Sequence, residues 1–128
     1  MNGRTHFLIV GIDGALAVAL GAFGAHGLQE RLLAAGSLDT WQTAVHYQFV
    51  HVVALLGLLA VLPRANAERR IHAVAACWLL GTLFFSGSLY WLALGGPKWL
   101  GPVTPLGGLL FIAGWLVVCS IRFKGETS

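Results

Sequence analysis

Four apolar runs, each close to twenty residues long and divided by short polar segments, decide most of what this chain can become. A bilayer core about 30 Å thick is crossed by about 20 helical residues rising 1.5 Å each. The runs fall at residues 7–27, 43–62, 72–94 and 105–122. Composition points the same way, with 57% of the 128 residues hydrophobic and 10% charged, against roughly 25% charged in an average soluble domain. A soluble fold of this size buries only about 70% of the surface its unfolded chain exposes, so lipid must cover the remainder. The expected fold is all-α: one membrane domain, residues 1–128, forming a four-transmembrane-helix bundle. A net charge of +3 is small. It serves to orient the chain in a membrane and does not point to a nucleic-acid partner.

Local signals mark the ends of the spans. Asp39 is placed to cap the second, with Gln42 three residues on at capping-box spacing, and Pro63 stops it. Gly95-Gly96-Pro97 closes the third, and Thr104-Pro105 reads as an N-cap followed by Pro in the first turn of the fourth. Between the first two spans, residues 28–35 put Leu28, Leu32 and Leu33 near one face and end at Gly36, as a short interfacial helix or an ordinary loop. Arg4, Arg64, Arg69, Arg70, Arg122 and Lys124 fall on one side of the membrane, and Arg31 and Lys98 on the other. The positive-inside rule therefore expects both termini in the cytoplasm of a bacterial inner membrane, or in the matrix if the membrane is mitochondrial. Trp41 and Trp99 then mark the outer interface. Cys77 and Cys119 fall in the inner halves of their spans, where packing is expected and a disulfide is not.

Small residues follow a helical register. Gly14, Ala17, Gly21 and Gly24 recur at spacings of three, four and three, a seam along which a neighbouring helix approaches closely. Gly11, Ala15, Ala19 and Ala22 form a second stripe nearly opposite, leading to His26, so the first helix is expected at the packed centre of the bundle. Gly107 and Gly114, seven apart, share a face of the fourth span.

Each polar group within a span needs a partner or a purpose. On the second span Ala44, Gln48, His51 and Leu55 share a seam, with Tyr47 one turn from His51. Gln48 and His51 are expected to point inward. His46 lies about 140° around the helix from His51, which rules out a shared metal between the two. Thr82, Ser86 and Tyr90 form a hydroxyl stripe at spacings of four, with Ser88 on another face. Aligning span centres puts His51 near the midplane and Tyr47, Gln48, Tyr90 and His26 further out. The polar set thus reads either as interhelical hydrogen bonding or as a ligand pocket in the outer half, with His26, Tyr47, Gln48, His51, Ser86 and Tyr90 as its residues. Asp13 stands apart, on the cytoplasmic side of its span's centre and at the edge of the first small seam. It is expected to snorkel, to bond a neighbouring helix, or to stay protonated in a proton-coupled role. His6 and His72 lie near the cytoplasmic interface and are expected to be solvated. No activated nucleophile, metal-binding spacing or phosphate loop is present, so no catalytic residue, metal or cofactor is expected.

The motifs GAFGAHGL (residues 21–28), YQxxH (Tyr47, Gln48, His51), FSGSLY (residues 85–90) and TPLGG followed by GW (residues 104–108 and 114–115) resemble the signature of the domain of unknown function 423 family. These are small YgdD-like inner-membrane proteins with mitochondrial relatives in animals, and the resemblance runs along nearly the whole chain in order. It implies four membrane helices and carries no established activity. His26, Tyr47, Gln48, His51, Ser86, Ser88 and Tyr90 fall within these motifs; Asp13 and His46 do not. The expected function is non-enzymatic: a small integral membrane protein that binds lipid, a small ligand or a partner membrane protein through the polar pocket. The alternative is an oligomeric small transporter or proton-linked accessory using His51, His26 and Asp13. Membrane lipid, a second copy of the chain or another membrane protein are the expected partners.

Overall fold

Apart from Pro105 at the start of the fourth, the apolar runs hold no Pro, and Gly or Pro residues lie between them. The structure, a computed structural model, describes residues 3–61 and 68–122. Its helices are α1 (Gly3–Ala25), α2 (Gln29–Ala34), α3 (Leu38–Val61), α4 (Glu68–Phe84), α5 (Ser86–Ala93) and α6 (Val103–Val118), with a 3-10 turn at Lys98–Leu100 before α6. Among the described residues, four segments are long and apolar enough to cross a membrane: Arg4–Ala25, Leu38–Val61, Glu68–Ala93 and Lys98–Val118. Gly36 and Gly95 take positive φ, +65° and +88°, closing α2 and following α5. The interfacial segment is therefore a helix, with Leu32 fully buried and Leu33 exposed.

Several boundaries differ from the sequence expectation. α3 begins at Leu38, so Asp39 lies inside its first turn. Ser37, just ahead of the helix, donates its hydroxyl to Ala93 O at 2.7 Å, tying α3 to the end of α5. Thr104 is likewise inside α6, where Pro102 holds the N-cap position and the Thr104 hydroxyl is 2.6 Å from that of Ser88. For Thr104 a side-chain bond across helices replaces the expected cap. The expected stop at Leu62–Pro63, and the positions of Arg64 and Lys124, lie outside the described residues. The third span is one crossing made of two helices, interrupted at Phe85 (φ −81°, ψ −69°), whose N–H still bonds Gly81 O at 2.7 Å.

α3 packs against α1, α4 and α5, while α4 and α6 share the most extensive interface. The main core joins Val10, Val52, Leu55, Leu59, Ile71, Val74, Ala75, Trp78 and Phe111. A smaller cluster of Leu32, Trp41 and Ala93 sits beneath α2. Gly81 and Gly107 bring α4 and α6 together: a Cβ on Gly81 would lie 2.6 Å from the Phe111 ring, and one on Gly107 would lie 2.7 Å from Phe85 Cβ. Gly114 faces the Trp78 indole at similarly close range.

The expectation that α1 is the packed centre is corrected. Its Gly14–Gly24 seam lies on α3, with the Cβ positions of Gly14 and Gly21 3.2 and 3.3 Å from Val52 and Val45 and Gly24 pressed on Trp41. Gly11, Ala15, Ala19 and Ala22 are exposed, and Gly11 has nothing within reach of a Cβ. α1 is apolar nearly all round, and lipid solvates its second face as readily as a helix would. Ile12, Val18, Leu83, Leu109 and Leu116 are each more than half exposed for the same reason.

At one end of the bundle His6 Nε2 meets His72 Nδ1 at 3.0 Å, His72 lies 3.5 Å from Glu68, and Arg70 donates to Ser120 O. His6 is 1% exposed, which corrects the expectation of a solvated residue: the helix starts at Gly3, so His6 is already within α1 and beside α4. The opposite end carries α2, Trp99 and Arg31, which donates to Leu94 O at 3.2 Å.

Candidate functional site

Because α1 packs chiefly on α3 and meets α4 near the His6–His72 end, it leaves a groove of about 400 Å³ between its middle and the α4–α5 span. Ile9, Ile12, Leu16 and Leu20 form one wall and Leu79 and Leu83 the other. Asp13, Gln48, Thr82, Ser86 and Tyr90 supply the polar lining. A second hollow of about 420 Å³ shares Gly87 and Tyr90 with the groove and runs past Trp91 and Leu94 to Gly95 and Gly96.

Three side chains form a directed hydrogen-bond chain. Gln48 Nε2 donates to Asp13 Oδ1 at 2.6 Å and to Asp13 O at 3.3 Å, and Tyr90 Oη donates to Gln48 Oε1 at 2.7 Å. A main-chain carbonyl only accepts, so its contact assigns Nε2 to the Asp13 side and Oε1 to the tyrosine. Tyr90 is in turn held edge-on against Trp41, 4.7 Å between ring centres. Asp13 adjoins Gly14, the middle residue of α1, and Gln48 adjoins the middle of α3. Asp13 is thus next to the midpoint of α1 counted from its two ends. The helix begins at Gly3, ahead of the apolar run at residue 7, so its midpoint falls at Gly14.

Of the residues singled out in the sequence, Gln48, Ser86 and Tyr90 line the groove. Ser86 is fully buried and its hydroxyl is committed to Ala44 O at 2.7 Å. His51 turns the other way, toward α4 and α6. Its Nδ1 donates to Tyr47 O at 2.7 Å, its Nε2 accepts from Trp115 Nε1 at 3.1 Å, and its ring stacks on Phe111 at 3.7 Å. Those two partners require the neutral Nδ1–H tautomer. Between Asp13 and His51 there is only a crevice too small for water. Tyr47 is 41% exposed, packs its ring 4.5 Å from Phe85, and lines a separate surface cleft with Asp39, Gln42, Thr43 and His46. His26 follows the end of α1 and is exposed, away from the groove. The six residues therefore do not form one pocket. A single helix presents Gln48 and His51 almost side by side, yet different neighbours flank that face on its two sides.

Sequence reasoning set Asp13 apart, whereas the structure makes it the end of the chain through Gln48. The signal was present in its place beside Gly14: a residue at the edge of a seam that packs on a neighbour has that neighbour's polar groups within reach. Ser88 and Thr104, bonded to each other, keep to the opposite face. Among the described residues no three His, Cys, Asp or Glu side chains gather as a metal site.

A family model described as protein of unknown function (DUF423) matches residues 20–108. The UPF0382 inner membrane protein YgdD of Escherichia coli is 40% identical over 126 residues, covering 97% of this chain and 95% of its own. A UPF0382 membrane protein of Staphylococcus epidermidis is 43% identical over 124 residues, 93% of this chain and 98% of its own. One from Haemophilus influenzae is 38% identical over 122 residues, 95% and 96% of the two chains. No solved structure matches the chain.

Proposed function

Because the chain belongs to the DUF423 family of uncharacterised membrane proteins, we propose that it is a non-enzymatic binding protein whose lateral groove holds an amphiphile dissolved in the membrane. One observation carries this reading: an acid, an amide and a phenol, linked in a chain, line an otherwise apolar groove that opens sideways between α1 and the α4–α5 span. A volume of about 400 Å³ lies within the range of small-molecule sites, which run roughly 300–1,000 Å³. Entry from the bilayer needs no aqueous path. The groove reaches from the middle of the membrane toward the end carrying α2, extending the outer-half pocket expected from the sequence inward as far as Asp13.

The membrane orientation belongs to the same proposal. Arg4, Arg69, Arg70 and Arg122 sit at the end where His6 meets His72, so that end faces the cytoplasm and both termini with it. In a mitochondrial relative the same end faces the matrix. The reading as a proton-linked transporter has weaker support. Both nitrogens of His51 are occupied and His26 lies beyond the end of α1, so Asp13 has no histidine relay beside it.

Native mass spectrometry of protein released gently from lipid tests the binding reading. Wild-type protein is expected to carry a lipid-sized adduct, and the Gln48→Ala, Tyr90→Phe double variant to lose it. An adduct retained in full by the folded variant, or none on the wild type, overturns it.

A further inference from the structure

The direction of the hydrogen bonds in the groove determines what chemistry it has left to offer. Both amide hydrogens of Gln48 point to Asp13, and the phenolic hydrogen of Tyr90 is used on Gln48 Oε1. The hydroxyl hydrogen of Ser86 goes to Ala44 O. What remains on the Asp13–Gln48–Tyr90 chain is the second carboxylate oxygen of Asp13, the free lone pair of Gln48 Oε1 and the lone pairs of the Tyr90 oxygen, all acceptors. Thr82 adds a hydroxyl that serves either way. When ionised, Asp13 beside the middle of its helix is also a charge with no cation beside it, since the described basic residues lie near the ends of the bundle.

We infer that the groove selects an amphiphile whose polar group is a hydrogen-bond donor, an ammonium foremost, lodged against Asp13 with its chain along the apolar walls. This rests on the binding reading above and adds the class of ligand to it. An ammonium completes the acceptor set and supplies the absent countercharge, and a hydroxyl completes the acceptor set alone. A polar group with only acceptors, or an anionic phosphate, meets lone pairs and a carboxylate.

The test compares three probes of one chain length: hexadecylamine, hexadecanol and methyl hexadecyl ether. Each is titrated into the full-length protein in nanodiscs of zwitterionic phosphatidylcholine, with intrinsic tryptophan fluorescence as the readout. The amine is expected to bind at least about tenfold more tightly than the ether, with the alcohol between them, as a charge-assisted bond requires. In Asp13→Asn, which keeps an acceptor for Gln48, the ratio of amine to ether is expected to fall toward one. Equal binding of all three probes to the wild type, or an amine preference undiminished in Asp13→Asn, overturns the inference while leaving the groove a binding site. Binding of none overturns the inference and the binding reading together.

Discussion

Gln48 is the residue on which the α1 side of the bundle depends. It is 4% exposed and bonds α1 and α5 at once, so its loss removes two interhelical contacts and leaves Asp13 without its amide. Interhelical hydrogen bonds in membranes are worth about 0.6–2 kcal/mol each. Gln48→Leu is therefore expected to destabilise the fold by about 1–3 kcal/mol, measured as a shift in the midpoint of unfolding in mixed micelles. Trp115→Phe, which removes a single bond to His51, is expected to cost less in the same assay, because His51 keeps its bond to Tyr47 O and its stack on Phe111. The inward set of Gln48 and His51 and the hydroxyl stripe of Thr82, Ser86 and Tyr90 were legible from helical spacing alone. The division of Gln48 from His51 was not. Spacing gives the face of a helix, and which neighbour lies on each flank of that face depends on how the other helices pack.

Among the elements, two stripes of small residues on α1 look alike in sequence and differ in consequence. The Gly14–Gly24 seam touches α3, whereas Gly11, Ala15, Ala19 and Ala22 are exposed. Lipid and protein are both apolar, so no hydrophobic signal distinguishes a packed face from a solvated one. That is why the place of α1 at the edge of the bundle could not be read beforehand. Gly107→Ala is expected to destabilise by about 1–3 kcal/mol, the usual cost of overpacking, because the new methyl meets the Phe85 backbone. Gly11→Ala, with open space at its Cβ, is expected to be neutral or slightly stabilising. Equal effects of the two on thermal unfolding would contradict this packing. The break between α4 and α5 had no Pro to announce it. It lies where the backbone of Phe85 is in closest approach to Gly107, a contact between distant parts of the chain.

For the molecule as a whole, length and hydropathy were enough for the four crossings, since a helix of about 20 apolar residues has few other places to go. Sidedness rests on charge. Cys119 is exposed and next to Ser120, which accepts from Arg70 at the basic end. In a Cys77→Ala background, a membrane-impermeant maleimide is expected to leave Cys119 unlabelled in intact cells and to label it in inside-out vesicles. The reverse pattern would invert the orientation.

The reliance of α1 on α3 also sets a timetable for biogenesis. Asp13 lies 35 residues ahead of Gln48, with all of α2 between them. As the chain is synthesised, the first helix reaches the translocon while its acid still lacks an amide partner. An unpaired Asp at the centre of a helix costs about 2.5–3.5 kcal/mol on insertion. Until α3 arrives, that polar group is met by the insertion machinery or by water. That span therefore gains its amide partner only once α3 has followed it.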